Sequence, residues 1–183
     1  MAFGSSIISL GAGSLGPPEI GQYREGGIVF YINEAEGFGY VVSLDTVQKQ
    51  YGTITPVYYY QSNGFRSTSI TASESNTANA GAFMGVTNDL NIFYWAYNYT
   101  KDGFNDWVIP SVDLLFQYYY NREIVDPAIT ANGGMPRTTG GYMVSNLYDE
   151  TALYPISWIT GSTYRRLITQ NTFQTRFVRK FFI

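Results

Sequence analysis

Asp106-Trp107-Val108-Ile109-Pro110-Ser111 opens the most informative stretch of this chain, which continues through residue 122. It reads as a strand end, a proline turn and a helix with its start signal written out. Pro110 disfavours helix at Ile109, so the helix begins after it. Ser111 is a good N-cap, and Asp113 suits the positive end of the helix dipole. Val112, Leu115, Phe116 and Tyr119 fall at the spacing of one apolar helix face. Arg122 stands where the last carbonyls of the helix favour a cation. The stretch specifies local structure and displays no chemistry.

Working outward, residues 26–32 (Gly-Gly-Ile-Val-Phe-Tyr-Ile) and 40–44 (Tyr-Val-Val-Ser-Leu) are β-rich runs around a glycine-containing turn, a hairpin pattern. Residues 52–75 are polar and read as a long loop or short edge strands around Tyr58-Tyr59-Tyr60. Alanine and apolar residues over 76–100 predict helix, broken near Gly85. Beyond Arg122 the chain reads as loop through Gly133-Gly134. Short strands are predicted over 142–148, 155–159 and 164–168, and a final Phe- and Arg-rich strand over 172–183. Strands, then helices, then strands predict an α+β domain.

Residues 1–19 differ from the rest, being rich in glycine and serine with scattered apolar side chains. They lack the basic start and unbroken apolar run of a signal peptide. Two readings stand: a flexible leader, or an extended arm that docks into a partner through Phe3, Ile7, Ile8 and Leu10. No segment approaches the roughly 20 apolar residues of a membrane span. The expected organisation is an anchoring arm over 1–19 and one folded domain over 20–183.

Composition narrows the chemistry. The 183 residues include neither cysteine nor histidine, which excludes disulfides, thiol nucleophiles, Ser-His-Asp triads and His/Cys zinc sites. Oxygen-ligated calcium or magnesium is the metal chemistry left open, with Asp149-Glu150 and Asp102/Asp106 as the best carboxylates; solvated loop acids are the better reading of them. A net charge of −3 argues against nucleic acid as a partner. Only 14% of residues are charged, which favours a surface that touches other proteins or further copies of this chain. The 17 tyrosines suit either strands or sugar- and protein-binding faces. Arg165, Arg166, Arg176, Arg179 and Lys180 crowd the end of the chain and read first as a solvated strand edge with ion pairs, with a phosphate- or glycan-binding patch as the alternative.

Four pieces in order carry a resemblance: Gly26–Ile32 with Gly39-Tyr-Val-Val-Ser43; Asn76-Thr77; Asp106–Ser111 with Leu114-Leu115 and Asn121-Arg122; and Arg176-Phe-Val-Arg179-Lys-Phe181. Together they are similar to the C-terminal domain family of bacterial collagen-like adhesins. The resemblance implies a C-type-lectin-like fold, with small antiparallel sheets, two flanking helices, and paired N- and C-terminal strands. It departs where the family carries Trp-Ser-Ser-Thr and this chain has Tyr142-Met-Val-Ser145. The calcium-site tripeptides of sugar-binding lectins are absent, so no cofactor is expected. The expected function is non-enzymatic: a phage virion display or adhesion module, such as a capsid decoration, fibre or spike. It would join other virion proteins through the arm, form a homo-oligomer such as a trimer, and meet a host-surface glycan or protein. Ligand-binding candidates are Tyr142, Asn146, Tyr148, Tyr154, Trp158 and Tyr164. A purely structural virion protein and a secreted, cell-surface bacterial glycan-binding adhesin are the alternatives.

Overall fold

The computed structural model describes residues 16–50, 69–84, 92–149, 152–167 and 172–183. The anchors Phe3, Ile7, Ile8 and Leu10 lie outside them, as does Tyr58-Tyr59-Tyr60. The opening strands are β1 (Tyr23–Arg24), β2 (Gly27–Asn33), β3 (Phe38–Ser43) and β4 (Val47–Gln50). The helices follow: α1 (Ser73–Met84), entered through a 3₁₀ turn at Ile70–Ala72, then α2 (Ile92–Asn98), α3 (Val112–Tyr120) and α4 (Arg122–Ala131). The later strands are β5 (Gly141–Tyr142), β6 (Leu147–Asp149), β7 (Ala152–Leu153), β8 (Ile156–Ser157), β9 (Arg166–Leu167), β10 (Thr172–Thr175) and β11 (Val178–Phe182). The chain is α+β. The described strands form three sheets, ordered β1-β2-β3-β11, β4-β10-β5-β8 and β6-β7-β9. All described pairs are antiparallel except β10 with β5.

The first sheet is apolar on both faces, which is why β2 and β3 read as nearly unbroken apolar runs rather than alternating ones. Val29 and Val41 pack on one side with Phe93, Trp107 and Phe181. Ile28, Phe30, Tyr40 and Val42 pack on the other with Leu114, Tyr118, Val125 and Ile129. A bulge between Val29 and Tyr31 interrupts the β2–β3 register. The closing strand β11 pairs with β3 along Val178 to Phe182 and is bridged to Val108 on its other side.

Helix α3 starts where Ser111 predicts: the Ser111 hydroxyl accepts from the Leu114 N–H at 3.4 Å. Arg122 donates to the Tyr119 carbonyl at 2.8 Å, as expected of a cation at the helix end. The buried face is rotated from the expected one. Val112, Leu114, Leu115 and Tyr118 face the core, whereas Phe116 and Tyr119 are partly exposed. Helix begins at Ser73, inside the stretch expected to be loop. It also resumes as α4 where loop was expected. Pro127 lies inside α4, yet Val125 and Ile129 bury one face of it, and that packing outweighs the hydrogen bond the proline cannot make.

The final strand is two strands. β10 pairs with β4 and β11 pairs with β3, so the chain changes sheets at Arg176-Phe177, opposite residues 43–46. A bend of this kind removes carbonyls from the ladder, and they must find other donors. Arg176, 1% exposed, supplies them: its guanidinium donates to the carbonyls of Ser43 (3.1 Å), Leu44 (2.7 Å) and Met135 (2.5 Å). Arg176 is therefore an interior residue and not part of a solvated strand edge. Arg179 does pair at the edge, with Asp106 and Glu25.

Among the described residues four tyrosine hydroxyls donate to carboxylates: Tyr23 to Asp102 (2.5 Å), Tyr40 to Glu74 (2.7 Å), Tyr99 to Asp45 (2.7 Å) and Tyr118 to Asp126 (2.6 Å). Burial first, and then the carboxylate bond, pushes Tyr23 up to about 12. The same two causes, in the same order, raise Tyr40 and Tyr99 further. Tyr118 is raised chiefly by burial, against a lowering effect of Arg176. A tyrosine in the unfolded chain titrates near about 10, so the folded state holds these protons more tightly. That stability is fully present below about pH 10 and is lost as pH rises through the folded values. Urea midpoints are expected to stay flat from about pH 7 to 9 and to fall steeply above about pH 10, with the tyrosinate absorbance of these four groups appearing in step with unfolding. A midpoint still unchanged at about pH 11.5 would sink this account.

Candidate functional site

The six sequence candidates separate by burial. Tyr142 is fully buried, because β5 pairs with β8 and sets it opposite Ile156 inside the core. Trp158 is also interior, with ring centroids 4.7 Å from Tyr118, 4.8 Å from Tyr142 and 5.4 Å from Tyr119. Asn146 is buried and its side-chain oxygen accepts from the Val112 N–H at 2.8 Å, so it completes the cap of α3. These three serve the frame, and their faces are not turned to solvent. Tyr154 is partly buried against the same cluster. Tyr148 belongs to β6, and its side chain is outside the described set. Tyr164 is 38% exposed, and its ring edge and hydroxyl lie over Gly141.

Two of the four carboxylates considered for calcium are engaged by other side chains. Asp102 accepts from Tyr23, and Asp106 accepts from Arg179. Asp149 has no described side chain, and Glu150 lies outside the described residues. Among the described residues, no cluster of three or more Asp or Glu is placed to hold a metal ion.

A different surface is assembled by the end of α3, the start of α4 and the turn after β8. Tyr118 turns inward, which leaves Tyr119 and Tyr120 to the outside. Tyr120 is 67% exposed and stacks on Phe116 at a centroid distance of 6.1 Å and 19° between planes. The Arg122 guanidinium lies 4.1 Å over the Tyr119 ring. The turn containing Gly161 closes on that ring: a Cβ at Gly161, whose φ is +67°, would lie 2.5 Å from it. Ile159, in the same turn as Gly161, is 72% exposed. The result is an aromatic shelf.

Arg122 also begins a groove of about 630 Å³ along α4, lined with it by Glu123, Asp126, Pro127, Thr130 and Arg137. Arg122 pairs with Glu123 at 3.2 Å, and Arg137 pairs with Asp126 at 3.4 Å. Asp126 is pinned from below by the Tyr118 hydroxyl. The sequence signal for the shelf was Tyr118-Tyr119-Tyr120, whose inward and outward members depend on helix rotation. The groove has no such signal, since the residues after Arg122 read as loop.

The fold resembles that of a fimbrial protein. The crystal structure of a fimbrial protein from Bacteroides ovatus superposes with a TM-score of 0.57 at 16% identity, covering 79% of this chain. This chain spans 36% of that protein's length. No protein-family model matches the chain, and no curated protein matches its sequence. At such identity the likeness is one of fold. No helix among the described residues is long and apolar enough to cross a membrane.

Proposed function

We propose that the chain is a non-enzymatic display and adhesion module with a C-type-lectin-like frame, carried on a phage virion. In this reading the arm over residues 1–19 anchors it to other virion proteins. The frame presents its surface to host-surface glycans, without a cofactor, from a homo-oligomeric assembly. The observation that carries it is the aromatic shelf: exposed Tyr120 and the Tyr119 ring under Arg122, which also lines a charged groove, on a frame packed from both sides of its sheet. Exposed aromatic surface beside ordered polar groups is characteristic of recognition surfaces. The resemblance of the four sequence pieces to collagen-like adhesin domains, and the fold likeness to a fimbrial protein, point the same way.

Two measurements test the reading. Deleting residues 2–18 is expected to leave the melting temperature within about 2 °C while abolishing incorporation into particles; unchanged incorporation would remove the anchor. Tyr120→Ala is expected to cut binding of the labelled protein to host cells about tenfold, the equivalent of roughly 1.4 kcal/mol, with no change in fold. Undiminished binding by this variant would remove Tyr120 from the recognition surface, and no cell binding by the unaltered protein would leave a purely structural role.

A further inference from the structure

We propose that the groove along α4 is a saccharide site for neutral, hydroxyl-rich sugars, with the aromatic shelf as its stacking end. The proposal rests on the adhesion reading above and names the ligand class at that surface. Its starting point is the charge arithmetic of the groove. Arg122 is matched by Glu123 and Arg137 by Asp126, so the lining is neutral as a whole. An anionic ligand drawn to either arginine meets the paired carboxylate, and a cationic ligand meets the reverse. A sugar diol both donates and accepts, and so it engages the carboxylate and the guanidinium of a pair together without breaking either.

The lining is also ordered before any ligand arrives. Asp126 is held by the Tyr118 hydroxyl at 2.6 Å and by Arg137. Tyr118 keeps its proton, since burial raises it well above the ordinary tyrosine range. Arg122 is held three ways, by the Tyr119 carbonyl, by Glu123 and by the Tyr119 ring. Fixed donors and acceptors lower the ordering cost of binding. Pro127, which also lines the groove, has no N–H, so the Glu123 carbonyl one turn earlier lacks its helical donor.

The shelf supplies the apolar half. A pyranose presents a face of C–H groups, which suits the negative face of an aromatic ring. Tyr120, exposed and stacked on Phe116, offers such a ring, and Arg122 belongs to both shelf and groove. The volume falls within the range of small-ligand sites, about 300–1,000 Å³. The groove is open along its length, so a single site is expected to bind at about 1 mM, and repeated display raises the effective strength by about 10²–10⁴.

The test is an array printed with neutral hexose and N-acetylhexosamine oligosaccharides and with sialylated, uronic and sulfated ones, probed with the full chain as a labelled multimer. Neutral glycans are expected to bind, with less than about a twofold change between 50 and 500 mM NaCl, because no net charge is neutralised. Arg137→Ala and Glu123→Ala are each expected to weaken those signals about tenfold, the loss of one charge-assisted hydrogen bond. Both side chains reach solvent, and an unchanged melting curve shows that the variants fold. Binding confined to acidic glycans, with a steep fall in salt, would overturn the neutral class and keep the adhesive reading. Neutral binding that survives both substitutions and disappears in Tyr164→Ala would move the site to the later strands and overturn the groove. An array with no signal would overturn both readings together.

Discussion

Replacing Arg176 with methionine is expected to destabilise the protein by about 3–5 kcal/mol, the size of a broken buried charged network. Methionine keeps much of the side-chain volume, so the loss reports hydrogen bonding rather than a cavity. Arg176 is 1% exposed and serves the carbonyls of Ser43, Leu44 and Met135 at the place where two paired strands leave one sheet for another. A buried ion pair can often be exchanged for apolar residues without loss, because both partners are replaced together. That escape is closed here, since the partners are backbone carbonyls. Arg176→Lys is expected to recover about half the loss, because a single ammonium cannot span three acceptors fixed for a planar fork. Urea denaturation of the three proteins measures this directly. A change below about 1 kcal/mol in Arg176→Met would show that water or a local shift satisfies the bend.

Arg176 illustrates where the sequence was silent. Residues 172–183 have the composition of one continuous strand, and no local signal marks the change of sheet. The bend becomes visible only when the registers of β4 with β10 and of β3 with β11 are seen together. Signals that act within a few residues were legible. Pro110 and Ser111 placed the start of α3, and Gly26 to Ser43 gave the opening hairpin. The four resemblance-bearing pieces also meet in space. Trp107 covers Gly27, where a Cβ would lie 2.5 Å from the Val42 carbonyl and 3.1 Å from the indole. Thr77 exchanges hydrogen bonds with the backbone of Ile109, Ser73 accepts from the Ser111 N–H, and Val108 pairs with Val178. These residues spend their polar groups on one another, which explains why the most recognisable stretch carries structure and no site. The groove was illegible for the opposite reason. Its charged residues belong to a helix that Pro127 disguises, and its shelf depends on which of three consecutive tyrosines turns inward.

Trp158 gives the second large effect and separates a frame residue from a binding residue. Trp158→Ala is expected to cost about 3–5 kcal/mol, as for other buried aromatics cut to alanine. The ring sits among Tyr118, Tyr119 and Tyr142, so its loss also removes three aromatic contacts. Trp158→Phe is expected to cost far less, about 1–2 kcal/mol. The indole Nε1 is buried and finds no hydrogen-bond partner among the described residues. Removing it breaks no bond and relieves a desolvation cost of about 1–3 kcal/mol, which offsets part of the lost volume. A tryptophan that stacked on a ligand would behave in the opposite way, with binding lost and stability kept in both variants. Paired denaturation and glycan-array measurements on the two variants distinguish these patterns. A stable Trp158→Ala protein that no longer binds would return this residue to the recognition surface; a destabilised one, beside a Trp158→Phe protein that folds and binds, places it under the shelf as the support on which Tyr119 rests.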